Sequence, residues 1–114
     1  MNVRYSKIVQ RKMQKLKEYL DKEYSNVNSS EILEKMVVAL DNLGSMSAPG
    51  VSIRERFGID TDYRMFICKK NIFILDVVNN EIVIKQMFNE KEDFIYKLFK
   101  IPMRSNESID FWGE

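Results

Sequence analysis

The stretch FILDVVNNEIVIKQMF, residues 73–88, decides the fold. Two apolar runs flank the pair Asn79-Asn80, and asparagine tolerates the positive φ that a two-residue hairpin turn requires. The stretch therefore predicts two antiparallel strands joined by a tight turn. Both runs are apolar at consecutive positions, which is typical of strands whose two faces are both buried. We expect other elements of the chain to cover both sides of this hairpin.

Downstream of the hairpin, the charged segment NEKED, residues 89–93, leads into an amphipathic run. Asn89 is a candidate helix N-cap, and the acidic side chains after it suit the positive end of a helix dipole. Apolar residues then follow at helical spacing, at Phe94, Ile95, Leu98 and Phe99. The pattern predicts a last helix that ends before Pro102.

Upstream of the hairpin, two further segments have strand-like patterns. DYRMFICKK, residues 62–70, predicts a strand that reaches the hairpin through a lysine-asparagine turn, with Cys68 at a buried position. VSIRERFGI, residues 51–59, predicts another strand, because apolar and polar side chains largely alternate along it. Its apolar side is made of Val51, Ile53, Phe57 and Ile59. The loop GSMSAPG, residues 44–50, separates these strands from the N-terminal part of the chain.

The N-terminal part has helical periodicity. Apolar residues with a 4-3-4 spacing predict a helix near residues 6–23; they are Val9, Met13, Leu16 and Leu20. Asn28, followed three residues later by Glu31, resembles a capping box that starts a second helix, and Gly44 is placed to end it. The apolar stripe of this helix is Leu33, Met36, Val37, Leu40 and Leu43. The short polar loop between the helices predicts an antiparallel helical hairpin.

These elements together predict an α+β fold. An N-terminal helical hairpin packs on a twisted antiparallel sheet of about four strands, followed by a C-terminal helix. NVRY, residues 2–5, is a candidate additional edge strand, which gives the order β-α-α-β-β-β-β-α. Residues 1–101 form a single domain in this prediction, and residues 102–114 form a C-terminal tail. The Phe111-Trp112 pair in the tail either docks back on the domain or contacts a partner.

Composition excludes several kinds of site. The 114 residues carry a net charge of +1, include no histidine and include one cysteine, so the usual general base at neutral pH and the usual zinc ligands are missing. Any catalysis would use carboxylates, lysine, arginine, tyrosine or serine, and we expect neither a metal nor a cofactor. Residues 1–24 hold seven Lys or Arg against three acids, which makes the first helix locally basic. Without a long apolar span or signal peptide, the chain is expected to be cytoplasmic, with no membrane partner.

The order of elements resembles the RelE/ParE family of toxins from bacterial type II toxin–antitoxin modules. The likeness spans residues 2 to about 101, and its features are the basic first helix YSKIVQRKMQKLKEYL, the Pro/Gly loop, the pair Tyr63-Arg64 and the apolar hairpin. The resemblance implies a toxin that either enters the ribosomal A site and cleaves mRNA or poisons DNA gyrase. It also implies a cognate antitoxin that wraps the toxin with a segment that folds on binding.

The resemblance also implies a set of site residues. RelE-like members have basic residues on the strand after the loop, an arginine in the tyrosine-arginine pair, a basic residue at the last helix start and a tyrosine in that helix. The matching positions here are Arg54, Arg56, Arg64, Lys91 and Tyr96. The three arginines alternate out of the apolar side of their strands, so they are predicted to share one side of the sheet, where guanidinium forks suit phosphate.

Other interpretations of these residues stay open. The arginines also fit a solvated sheet face, and the acids around Lys91 fit helix capping. Two arginines stand where RelE-like enzymes often have lysines, and arginine is a poor general base because it stays protonated. Lys91 replaces an arginine, and Tyr96 lies about one residue from the expected position. A second hypothesis is therefore a degenerate, non-toxic family member that only binds the antitoxin.

Overall fold

The computed structural model of the chain describes residues 1–101, apart from the side chain of Asn26. The predicted tail, with its Phe111-Trp112 pair, lies outside the described residues. In chain order the elements are β1 (Asn2–Tyr5), α1 (Lys7–Glu23), α2 (Asn26–Asn42), a 3-10 turn (Leu43–Ser45), β2 (Val51–Ser52), α3 (Ile53–Phe57), β3 (Arg64–Cys68), β4 (Asn71–Val78), β5 (Glu81–Asn89) and α4 (Phe94–Phe99). No helix within residues 1–101 is long and apolar enough to cross a membrane.

The strands form one sheet in the order β1-β5-β4-β3-β2. All neighbouring strands are antiparallel except β1 and β5, which are parallel. The α+β prediction is therefore confirmed, and NVRY adds a fifth strand at one edge of the sheet. Parallel pairing of this strand is possible because the whole helical hairpin lies in the crossover that follows it.

The central hairpin forms as the sequence predicts. Asn79 and Asn80 have φ values of 51° and 59°, and they join β4 to β5 in a two-residue turn. Farther along the hairpin the register changes, since Leu75 pairs with Ile84 whereas Ile74 pairs with Gln86. Lys85 is thus the extra residue of a β-bulge, which changes the alternation of side chains along β5.

Two apolar cores cover the two faces of the sheet, as the sequence predicts. The hairpin core joins α1 and α2 to the sheet, and its buried members are Val9, Met36, Leu40, Leu43, Phe73, Leu75, Ile82, Ile84 and Met87. The second core joins α3 and α4 to the opposite face, and its buried members are Ile53, Met65, Ile72, Ile74, Phe88, Phe94 and Ile95. Consecutive residues of β4 point alternately into the two cores, which explains why this strand is apolar at successive positions.

Serine caps begin both long helices. Ser6 Oγ accepts the backbone N–H of Val9 at the start of α1, which agrees with the predicted helix near residues 6–23. Ser25 Oγ accepts the N–H of Asn28, so α2 begins earlier than predicted and the capping-box start at Asn28 is wrong. In the predicted capping box the side chain of Glu31 would accept the N–H of Asn28, whereas in the structure Ser25 accepts it.

The predicted strand over residues 51–59 is wrong beyond its first two residues. After β2 the chain turns into α3, because Ser52 Oγ accepts the N–H of Glu55 and Gly58, with a φ of 70°, ends the helix one turn later. Ile53 and Phe57 still face the second core. Residues four apart lie on one side of a helix, so the same apolar residues satisfy either structure.

The charged segment before the last helix forms a turn. Asn89 is not the N-cap of α4; its side-chain oxygen accepts the N–H of Lys91 at 3.0 Å. Asp93 is the N-cap and accepts the N–H of Tyr96 at 3.1 Å. The helix then ends at Phe99, since Lys100 has a φ of 59° and donates its N–H to Tyr96. Its end before Pro102 agrees with the prediction.

Candidate functional site

Arg54 lies on the exposed side of α3, where two carboxylates already bind its guanidinium. Nη1 is 2.7 Å from Asp60 Oδ1, and Nη2 is 3.0 Å from Asp62 Oδ1. The hydrogen bonds to Asp62 and then Asp60 raise the pKa of Arg54 further above its ordinary value. Both carboxylates are almost fully exposed to solvent. A phosphate would have to compete with them, although exposed ion pairs of this kind are weak.

Arg56 lies on the same short helix as Arg54 and is also exposed. Residues two apart on a helix point in different directions, so these two arginines do not form one cationic surface. The prediction that they share one side of the sheet with Arg64 is wrong, because it depended on a strand where α3 forms.

Arg64 holds a loop in place. It is the first residue of β3 and is partly buried. Its Nε donates to the carbonyl oxygen of Pro49 at 2.5 Å, and its Nη2 donates to that of Gly50 at 3.3 Å. The guanidinium therefore fastens the end of the loop of residues 44–50 onto the sheet. Two of its donors are committed to backbone acceptors before any ligand arrives.

Lys91 lies at the other end of the sheet. It comes two residues after Asn89, the last residue of β5. Asn89 pairs with Asn71 of β4, and Asn71 pairs with Cys68, the last residue of β3. Arg64 is four residues back along β3, which corresponds to roughly 13 Å of strand. The structure thus separates these two predicted site residues.

Tyr96 lies on the outer side of α4 and is 50% exposed. Lys100 Nζ is 5.8 Å from the centroid of its ring. The five predicted residues therefore occupy different places: α3, the start of β3, the turn after β5 and the outer side of α4. Their use as one site stays a prediction.

A polar cluster at the free part of β5 was not predicted. We call it the edge cluster; its members are Lys12, Gln86, Glu92 and Lys97. Lys12 Nζ donates to Gln86 Oε1 and to the carbonyl oxygen of Met87, each at 2.8 Å. Glu92 Oε1 accepts from Lys97 Nζ at 2.6 Å. The cluster joins α1, β5 and the turn before α4.

The edge cluster occupies backbone groups of β5 that β1 does not reach, since β1 pairs only as far as Ile84. The N–H of Met87 donates to Gln86 Oε1 at 3.1 Å, and the N–H of Asn89 donates to Glu92 Oε2 at 2.6 Å. Unpaired strand edges are sites of unwanted pairing with other chains. These side chains thus close part of the sheet edge.

The environment of the edge cluster changes two pKa values. Burial lowers the pKa of Lys12, and the nearby positive charge of Lys97 lowers it too, while the charge of Glu92 opposes both effects. Burial by itself would raise the pKa of Glu92, but hydrogen bonds from Lys97 and from the Asn89 N–H lower it overall. A lysine with a lowered pKa is a better proton acceptor than an arginine. In the sequence, Lys12 directly precedes Met13, a residue of the apolar stripe of α1, and this position is the signal that could have marked Lys12 as partly buried.

Cys68 and the acidic residues offer little for catalysis. Burial raises the pKa of the Cys68 thiol, with a smaller opposing effect from Lys69, so the reactive thiolate is disfavoured.

Within residues 1–101, no group of three or more Cys, Asp or Glu side chains is placed to hold a metal ion. The chemistry that this region offers is that of lysine, arginine and tyrosine.

Comparison with known proteins adds no assignment. The chain matches no family model, and no curated protein shows significant similarity to it.

Proposed function

We propose that this chain is the toxin of a bacterial type II toxin–antitoxin module of the RelE/ParE type. The observation that carries the proposal is the order of elements: an edge strand, a helical hairpin, a mostly antiparallel sheet and a short last helix. This is the layout that the resemblance in sequence implies. The short helix α3 is an addition to that layout. The toxin acts in the cytoplasm, either on mRNA at the ribosome or on DNA gyrase, and a cognate antitoxin neutralises it.

The chemistry of the described residues supports toxin action without choosing the target. Cleavage of RNA by its 2′-hydroxyl needs a proton acceptor, positive charge near the phosphate and a proton donor for the leaving oxygen. Lys12 has the lowered pKa that suits a proton acceptor, but both of its hydrogen bonds stabilise β5. Lys91 and Tyr96 are exposed and available to a large target. Gyrase poisoning would need no such catalytic set.

A second candidate function is that of a non-toxic family member that binds the antitoxin. Two observations favour it. Arg54 is bound by Asp60 and Asp62, and Arg64 by loop carbonyls, so a phosphate would have to compete with these partners for part of each guanidinium. In addition, the helical hairpin, including the residue that follows α1, exposes large apolar side chains that suit an amphipathic partner segment: Tyr19, Tyr24, Val27 and Val38.

Inducible expression in a bacterium, followed by a cell-free reaction, tests the proposal. The toxin should arrest growth, and coexpression of its antitoxin should restore it. Purified protein is then added to translation of a defined mRNA, and cuts are mapped by primer extension; a gyrase supercoiling and cleavage-complex assay runs in parallel. Lys91→Ala and Tyr96→Phe are compared with Lys35→Ala, an exposed lysine on α2.

Each outcome distinguishes a function. Ribosome-dependent cuts that Lys91→Ala or Tyr96→Phe weakens, and Lys35→Ala does not, indicate an mRNA interferase. Intact mRNA with trapped gyrase–DNA complexes indicates a gyrase poison. No growth arrest at high levels of folded protein refutes the toxin proposal. The antitoxin-binding candidate would then be tested by copurification with the product of a small acidic neighbouring reading frame.

A further inference from the structure

The turn between β3 and β4 has an unusual composition. Lys69 and Lys70 form it, and both have positive φ values, 51° and 64°. A side chain with a Cβ atom is disfavoured in this conformation, and turns of this type favour asparagine and glycine. The other hairpin of the same sheet follows that preference with Asn79 and Asn80. The geometry of the turn therefore does not explain why two lysines stand here.

Two hydrogen bonds fix the lysine turn and join it to the turn after β5. The buried side chain of Asn71 donates from Nδ2 to the carbonyl oxygen of Lys69 at 2.9 Å. The backbone N–H of Glu90 donates to the carbonyl oxygen of Lys70, also at 2.9 Å. Lys91 is the next residue along the chain. We call Lys69, Lys70 and Lys91 together the lysine tip.

The lysine tip is positively charged and available. All three side chains are exposed, and none takes part in an ion pair within residues 1–101. Of the acids in the adjacent segment, Glu92 is bound by Lys97 and by the Asn89 N–H, and Asp93 caps α4. Glu90 and Asp93 are then the neighbouring acids that offset part of the charge, because accepting a backbone N–H does not remove the charge of the Asp93 carboxylate.

We propose that the lysine tip binds the phosphodiester backbone of a nucleic acid. A lysine ammonium is a compact charge with three rotatable donors, so it binds phosphate without a fixed orientation. The turn fixes the backbone at two adjacent lysines, so both flexible side chains extend from one place on the surface. The tip residues have no aromatic ring to stack on bases, so contact with the backbone, without sequence preference, is expected. This inference goes beyond the proposed function, because such contact does not require toxicity.

The test uses a double variant that separates binding from stability. Lys69→Asn with Lys70→Gly removes two positive charges and supplies the residues that the turn geometry favours, so the melting temperature should rise while nucleic-acid affinity falls. Affinity is measured by fluorescence anisotropy with a labelled single-stranded RNA of roughly 12 nucleotides and, separately, a DNA duplex of roughly 12 base pairs, over a range of salt concentrations.

The loss of two phosphate contacts sets the expected size of the effect. The slope of log affinity against log salt should become shallower by about 1.4 for the RNA and about 1.8 for the DNA duplex. If the variant and the wild type bind equally at about 1 M salt, a change of 1.4 in slope corresponds to roughly 60-fold weaker RNA binding by the variant at about 50 mM salt. The control variant, Lys7→Gln with Lys35→Gln, removes the same charge from α1 and α2 and should bind almost as tightly as the wild type.

The two nucleic acids distinguish the source of the phosphates. Tip-dependent binding of the RNA, of the duplex or of both supports the proposal and identifies the ligand. The proposal is overturned if the wild type binds neither probe at low salt, or if the tip variant and the control variant lose affinity equally. If the tip variant binds less tightly but the wild type does not arrest growth, the tip proposal stands while the toxin proposal fails.

Discussion

Replacement of Arg64 by alanine should destabilise the fold, and this effect does not depend on whether Arg64 has a role in the activity of the protein. Arg64 is the residue that a search for a catalytic arginine would mutate first, since it belongs to the Tyr63-Arg64 pair. In the structure its guanidinium binds the carbonyl oxygens of Pro49 and Gly50. A loss of activity in Arg64→Ala would therefore have two causes that only a stability measurement can separate.

The size of the effect follows from these two hydrogen bonds. Pro49 is buried, so its carbonyl oxygen loses a charged donor that water does not easily replace, which costs about 1–3 kcal/mol. The bond to Gly50 is longer, 3.3 Å, and contributes less. We expect Arg64→Ala to lower the free energy of unfolding by about 2 kcal/mol, which for a domain of this size lowers the melting temperature by roughly 10 °C.

Urea and thermal unfolding, followed by circular dichroism, measure this effect. Arg64→Lys keeps the charge but reaches at most one of the two carbonyls, so it should lie between alanine and the wild type. Arg54→Ala is the matched control, because its guanidinium binds only exposed carboxylates, and it should change the melting temperature little. A melting temperature for Arg64→Ala equal to that of Arg54→Ala would show that Arg64 does not hold the loop.

Two further changes test the backbone and the helical hairpin. At Gly50 (φ +65°) an added Cβ would lie 2.3 Å from the Met65 carbonyl oxygen, whereas at Gly58 (φ +70°) it would meet nothing within 4 Å. We therefore expect Gly50→Ala to lower the free energy of unfolding by at least about 3 kcal/mol and Gly58→Ala to lower it by about 1 kcal/mol. Equal losses of this free energy in urea unfolding would contradict the geometry. Hydrogen bonds from Ser29 and then Lys17 lower the pKa of Asp21. The ionised carboxylate therefore stabilises the fold at pH values above the unfolded pKa of about 3.9. This stabilisation is lost as the pH falls through the lower pKa of the folded state. Ser29→Ala should therefore lose stability at neutral pH, and its difference from the wild type should narrow at about pH 2; a difference that is constant with pH would mean that Asp21 is not the partner through which Ser29 acts.

The strands and the long helices were predictable because their signals are local. Asn79 and Asn80 marked the central hairpin, and the continuous apolar runs indicated that both faces are covered. The error over residues 53–57 was avoidable in part. Ser52, followed by Glu55 three residues later and by Gly58, contains a helix start and a helix end, but the apparent alternation from Val51 to Ile59 concealed them.

The arrangement of the candidate site was not predictable from local pattern. The prediction treated Arg54 as a solvent-facing strand residue, and nothing in the spacing shows that the loop after Gly58 brings Asp60 and Asp62 to it. The contact between Arg64 and Pro49 depends on how a loop folds over the sheet edge. The edge cluster joins Lys12 to Gln86, which are 74 residues apart. Such contacts depend on tertiary packing, which periodicity does not determine.

The position of β4 between the two cores has a consequence for hydrogen exchange. Residues 72–75 are buried and divide their side chains between the core under α1 and α2 and the core under α3 and α4. An opening that exposes one face alone leaves the backbone of this strand paired on both sides. The amide hydrogens of β4 should therefore exchange only when the whole domain unfolds, whereas those of the short helix α4 exchange through local opening. The slowest amides of β4 thus report global stability, and the difference between them and the amides of α4 measures how strongly the two cores are coupled.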